Sequence, residues 1–184
     1  MILTDREILA ACENNQIVID PLPNFAVALS STSLDLTLWD RIRVWNPKVP
    51  GTERTICPAS SDFSYLTVAE SFTRLDNIGA DGFLLKPGHF LLAWTTEEIT
   101  LPTSSKIAAR VEGKSSLARL GIGVHVTAPT IHAGFIGHIQ LEMFNHGNLT
   151  VKLEVGMNVC QLIFEQILGT PNQGYKGQFL RQNA

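Results

Sequence analysis

Leu34, Leu36 and Leu38 alternate with Ser33, Asp35 and Thr37, and the same two-residue period returns at Ile42 and Val44, at Ile139, Leu141 and Met143, and at Val151, Leu153 and Val155. Successive side chains of an extended strand point to opposite faces, so each run carries one apolar face to bury and one polar face to leave outside. Turn signals separate the runs: Lys86-Pro87-Gly88, Asn145-His146-Gly147-Asn148 and Val155-Gly156-Met157. Half-buried strands at that spacing predict a mainly β chain, a sandwich or jelly roll. One short helix is expected ahead of them, over about residues 4–13. There Thr4-Asp5-Arg6-Glu7 forms a capping-box pattern, and Ile8, Leu9 and Cys12 follow at helical spacing. Residues 46–82, with Pro47, Pro50, Gly51, Pro58, Gly79 and Gly82, read as a long irregular insertion. No internal repeat is visible.

A chain of 184 residues suits one domain over 1–184 with a substantial core. Charged residues make up 17% and hydrophobic residues 45%, which favours burial of surface against other copies and hence a homo-oligomer. A formal charge of -3 opposes sequence-independent grip on nucleic acid, whose phosphates demand a basic face. Met1-Ile2-Leu3-Thr4-Asp5-Arg6-Glu7 lacks the basic start and apolar core of a secretory leader, and no apolar run reaches membrane-spanning length. A cytoplasmic protein without membrane contact is expected. Cys12, Cys57 and Cys160 are scattered and odd in number, which fits reduced thiols, with Cys12 and Cys160 as small buried hydrophobes.

Glu112-Gly113-Lys114-Ser115-Ser116-Leu117-Ala118-Arg119-Leu120-Gly121 packs a glycine, two cations and two hydroxyls into one turn, the equipment to grip a polyphosphate. A Walker P-loop is excluded, because Ala108 stands where that motif needs its first glycine. Burying Ser115 and Arg119 beside Lys114 without a ligand or partner is costly, which favours a binding role. On the later strand, His138, Gln140, Glu142 and Phe144 face away from Ile139, Leu141 and Met143. A lone strand glutamate is ordinarily a solvated residue. Glu142 follows the Lys114–Arg119 turn by one hairpin's length, however, and the intervening chain is expected to bring the two together. His125 and His138 read as packing residues of strands, His146 as a solvent-exposed hairpin residue, and Trp39, Trp45 and Trp94 as core or subunit-interface residues.

Several of these motifs fall in one order that resembles a known family. Gly113-Lys114-Ser115-Ser116-Leu117-Ala118-Arg119-Leu120-Gly121, then His125-Val126-Thr127-Ala128, Gly134-Phe135-Ile136-Gly137-His138-Ile139-Gln140-Leu141-Glu142, and Gly156-Met157 with Gln161-Leu162, are similar to the dCTP deaminases of the trimeric dUTPase-like superfamily. Ser33-Leu34-Asp35-Leu36, Leu85-Lys86-Pro87-Gly88 and Tyr175-Lys176-Gly177-Gln178 add weaker echoes. The resemblance implies a distorted jelly-roll, β-clip homotrimer with active sites between subunits. The implied activity is that of a hydrolase acting on a cyclic amidine C–N bond, converting dCTP to dUTP and ammonia, with dTTP a candidate inhibitor. It assigns proton transfer to Glu142, the water to Ser115 and the carbonyl of Ala128, and charge stabilisation near the base to Arg119. Lys114, Ser116 and Gln161 would meet triphosphate or sugar, Gln140 and Leu141 the nucleoside through their main chain, and Tyr175 and Gln178 the nucleotide from the C-terminal segment. Zinc deaminases carry H-x-E and P-C-x-x-C, and neither occurs here, so no catalytic zinc is expected. Mg²⁺ is expected only on the substrate triphosphate.

Two departures bear on function. Where most members have an aspartate, Ile131-His132-Ala133-Gly134 carries a histidine. In the dUTPase relatives the matching carboxylate activates the water that cleaves the α–β phosphate bond. His132 can still accept a hydrogen bond from the sugar but supplies no carboxylate. Gly174 replaces a basic residue before Tyr175, and only Phe179 to Ala184 follow Gln178, so weaker phosphate closure is expected. Three readings stand: a monofunctional deaminase, a bifunctional enzyme forming dUMP, and a nucleotide-binding regulator. Glu142 weighs against the third and His132 against the second.

Overall fold

The longest of the alternating runs becomes the central strand, and the reason is its two-sided pairing. The computed structural model describes residues 1–46 and 55–175. In it β1 (Val18–Asp20) is followed by β2 (Leu34–Trp45), β3 (Thr73–Asn77), β4 (Phe83–Leu85) and β5 (Phe90–Thr100). Then come β6 (Ile107–Gly113), β7 (Ile122–Gly123), β8 (Thr130–Ile131), β9 (Ile136–Asn145), β10 (Val151–Leu153) and β11 (Asn158–Gln166). Nine strands form one antiparallel sheet with the path β7-β9-β5-β2-β11-β6-β8, β1 adding to β5 and β3 to β2, while β4 and β10 pair separately. The start of β2, Leu34 to Thr37, pairs with β11, whereas Leu38 and Ile42 to Val44 pair with β5, the register shifting between Leu38 and Ile42. A strand that changes partner partway along curls the sheet, so its two halves face each other as layers.

The core lies between those layers. Leu34, Leu36, Leu38 and Ile42 are fully buried, joined by Ile139, Leu141 and Met143 of β9 and Val159, Cys160, Leu162 and Phe164 of β11. The expected N-terminal helix is α1 (Asp5–Glu13), with the Thr4–Glu7 capping box in place and Ile8 and Ala11 turned into the core. Cys12 is only half-buried, while Cys160 is completely enclosed. Val155 departs from its predicted alternation, since it stands in the turn after β10 and is half exposed. The Asn145-His146-Gly147-Asn148 segment is a turn but not a hairpin, because β10 pairs with β4 rather than with β9. Buried Asn145 fixes it, donating from Nδ2 to the carbonyls of Leu85 (2.9 Å) and Leu149 (2.8 Å) and accepting from the Gly147 N–H (2.9 Å).

The insertion over 46–82 is not irregular throughout. It contains α3 (Tyr65–Phe72) as well as β3. Ser64 caps the helix by accepting from the Thr67 N–H, and β3 finds an open edge along Arg41 to Trp45 of β2. Short periodic segments framed by prolines gave this helix too few turns to register in sequence. α2 (Phe25–Ala28) and α4 (Ser115–Ala118) are single helical turns of the same kind. Among the described residues, no helix is long and apolar enough to cross a membrane.

Candidate active site

β9 buries alternate residues along its whole length, so Gln140 and Glu142 project from the face opposite Ile139, Leu141 and Met143, as its sequence predicts. The Glu142 backbone N–H donates to the Val124 carbonyl at 3.1 Å, drawing the chain after β7 alongside β9. The Val126 N–H then donates to Glu142 Oε2 at 2.8 Å, fixing the half-buried carboxylate. Glu142 looks into a cavity of about 550 Å³ together with Ala128, His132, Gln140 and Tyr175. Five of the expected site residues therefore share one concavity. Leu141, by contrast, turns its side chain into the core. Gln178 lies outside the described residues.

His132 sits where this cavity meets a second, shallower one lined by Gln173, Gly174 and Tyr175. Its ring stacks on Tyr175 with centroids 5.4 Å apart and planes 17° from parallel. The Tyr175 N–H donates to the Ala133 carbonyl at 3.2 Å, so the C-terminal segment is pinned at this corner. Gly134 makes the approach possible: φ is +89°, and a Cβ there would stand 2.8 Å from the Tyr175 nitrogen.

The second half of the expected site is elsewhere. Lys114, Ser115, Ser116, Arg119 and Gln161 line no part of the Glu142 cavity. The expectation that one hairpin unites the two groups is corrected by topology. β6 lies on the β11 side of the sheet and β9 on the β5 side. α4 bridges them at the far end of β9, where the Gly121 carbonyl accepts the His146 N–H at 2.7 Å. Ser115, Ser116 and Arg119 are exposed there, while Leu117 anchors the turn. Lys114 forms an ion pair with Asp35, and Asn158 Nδ2 donates to the same carboxylate at 3.4 Å. Gln161 accepts from Ser33 Oγ at 3.0 Å and donates to the Gly113 carbonyl at 3.3 Å. The Ser33-Leu34-Asp35-Leu36 echo is thus joined in space to Lys114 and Gln161.

The histidines and tryptophans divide. His138 packs on its strand, stacked on Trp39 with centroids 4.5 Å apart. His125 lies in the loop after β7 rather than in a strand, with Nε2 4.0 Å from Glu112 Oε2. His146 is exposed, against Phe144. Trp94 is core, whereas Trp45 lines the Glu142 cavity beside Tyr65, Phe90 and Leu92. Sequence reasoning missed those last three. Burial raises the Tyr65 phenol pKa above its ordinary 10.0, with Arg43 opposing and Glu142 adding to the shift. A half-buried carboxylate held by one N–H, in a cavity walled largely by carbon, has the chemistry of a proton acceptor.

The curled sheet is matched by the crystal structure of a 2'-deoxycytidine 5'-triphosphate deaminase from Agrobacterium tumefaciens. The TM-score is 0.66 at 22% identity, over 89% of this chain and 47% of that one, so this chain spans about half its length. The class is therefore a mainly β fold of the kind seen in that deaminase structure. A family model described as dCTP deaminase-like matches residues 2–167, and the chain belongs to that family. A relative named dCTP deaminase, dUMP-forming, from Methanosphaera stadtmanae is 37% identical over 178 residues, 95% of this chain and 83% of the relative. Another, named dCTP deaminase, from Shewanella loihica is 40% identical over 172 residues, 91% of this chain and 84% of the relative.

Proposed function

We propose that this chain, acting as one domain over 1–184, is a homotrimeric dCTP deaminase that hydrolyses dCTP to dUTP and ammonia. The observation that carries the reading is Glu142, held by the Val126 N–H at 2.8 Å beside Ala128 and Gln140 in one cavity. Water adds its oxygen to C4 of the cytosine while Glu142 takes its proton. That proton passes to N3, Glu142 then carries the proton of the new C4 hydroxyl to the 4-amino group, and the C4–N bond breaks to leave the C4 carbonyl and release ammonia. The Ala128 carbonyl and Ser115 hold the water, and Arg119 stabilises charge on the ring. Since Ser115 and Arg119 lie outside the Glu142 cavity of their own chain, a neighbouring subunit supplies them. Lys114, Ser116 and Gln161 meet the triphosphate and sugar in the same composite site. Mg²⁺ enters as part of the nucleotide, with hard phosphate oxygens as its ligands. The proton transfer in this reading is assigned to Glu142, with no catalytic zinc invoked. dTTP, sharing the sugar and triphosphate, is the candidate inhibitor of this site, and the cytoplasm is where such a nucleotide enzyme works.

Complementation tests the composite site. Glu142→Gln and Arg119→Ala subunits, each inactive alone, regain deamination when assembled together, because mixed trimers contain some intact sites. Mixed assembly without recovery would sink the shared-site reading. A second reading, release of pyrophosphate to give dUMP, is favoured by the name of the Methanosphaera stadtmanae relative. The His132 ring, stacked on Tyr175, weighs against it.

A further inference from the structure

The Glu142 cavity has a wall that no motif of the family resemblance covers, formed by Trp45, Tyr65, Phe90 and Leu92. Its placement follows from register. Arg43 on β2 stands opposite Leu92 on β5, and Leu92 opposite Glu142 on β9, so the three make one row on one face of the sheet. Phe90, two residues from Leu92, shares that face. The helix α3 delivers Tyr65 from its first position to the same cavity.

We propose that Tyr65 is a further substrate-positioning residue, whose ring forms the wall against which the pyrimidine packs while Glu142 addresses its C4 edge. The proposal rests on the dCTP reading above. A carboxylate that deprotonates water attacking C4 stands beside the base, so the side chains around it surround the base and not the triphosphate. Tyr65, Trp45, Phe90 and Leu92 offer π faces and alkyl surface, which suit a flat heterocycle. Among the described residues, no lysine or arginine of the same chain lines this cavity. Burial first, and then the nearby Glu142 charge, raise the Tyr65 phenol pKa against the opposing Arg43, so the phenol stays neutral at working pH.

Steady-state kinetics on dCTP tests the assignment. Tyr65→Ala raises KM by about tenfold or more while kcat changes less, as expected for loss of an aromatic contact to a base. Tyr65→Phe restores KM and kcat to within about threefold, with the pH profile unmoved, because the ring and not the hydroxyl acts. Tyr65→Leu, which keeps apolar volume to secure folding, gives an intermediate KM. In an active wild-type background, a Tyr65→Ala KM within about twofold of wild type overturns this proposal alone. So does a Tyr65→Phe enzyme that loses kcat about tenfold, since that assigns the role to the hydroxyl. Wild-type protein that releases no ammonia from dCTP overturns the deaminase reading, and this proposal with it.

Discussion

The carboxylate of Glu142 accepts a backbone N–H and faces a cavity built mainly from carbon, so removing its charge changes chemistry more than shape. In Glu142→Gln, turnover is expected to fall by about 10²–10⁴ while dCTP still binds, read by ammonia release and by calorimetry. His132 carries the next expectation. Its ring lies against Tyr175 and supplies no carboxylate, and in-line attack on phosphate tolerates little misplacement. Product analysis should therefore yield dUTP without pyrophosphate, and stoichiometric dUMP would refute this. The cysteines separate by burial. Desolvation pushes the Cys12 thiol up to about 11 and the enclosed Cys160 thiol higher still, whereas Cys57 is exposed. Because the thiolate is the nucleophile, iodoacetamide should label Cys57 first and reach Cys160 only on unfolding, as mass spectrometry would report. Glu142 was legible in sequence because alternation on a strand fixes which way a side chain points. Tyr65 was not, because nothing local links a residue of the insertion to a strand that follows it by more than seventy positions.

α1 begins with a reciprocal cap, in which Glu7 Oε2 accepts the Thr4 N–H at 3.1 Å and the Thr4 hydroxyl as well. The Thr4 hydroxyl, then its backbone N–H, holds the Glu7 pKa below the ordinary 4.5. A folded pKa below the unfolded one stabilises the fold above the unfolded value and loses that contribution as pH falls through the folded value. Wild type should thus melt above Glu7→Gln at neutral pH, and the gap should close in acid. β2 is the element on which the fold turns, since it is shared by β11, β5 and β3. Leu36 is fully buried at that crossing, so Leu36→Ala should cost about 2–5 kcal/mol in urea unfolding. Gly121 is a different kind of constraint. With φ +87° and a Cβ position only 2.4 Å from the Gly147 nitrogen, any side chain there pushes α4 off the end of β9. Gly121→Ala should lower the melting temperature and deamination together. Strand runs such as β2 and β9 were readable from a two-residue period, whereas α3 and β3 form where a cap and an open sheet edge happen to meet.

The whole molecule divides its polar equipment between a carboxylate cavity and an exposed helical turn, and the proposed trimer is what would join the two. Light scattering should give a native mass of about three chains, and a stable monomer at working concentration would defeat the composite site. Period-two alternation, the Thr4 cap and the ordered motifs determined on their own the β class, the N-terminal helix and the family, because each depends on residues close together in the chain or on their identity alone. The pairing of β2 with partners on both sides, the docking of Tyr175 on His132 and the aromatic wall from the insertion were decided only by tertiary structure. So was the separation of Arg119 from Glu142. Each of these depends on contacts between segments far apart in the chain, and such contacts are selected by the burial of the whole core, which no local pattern encodes.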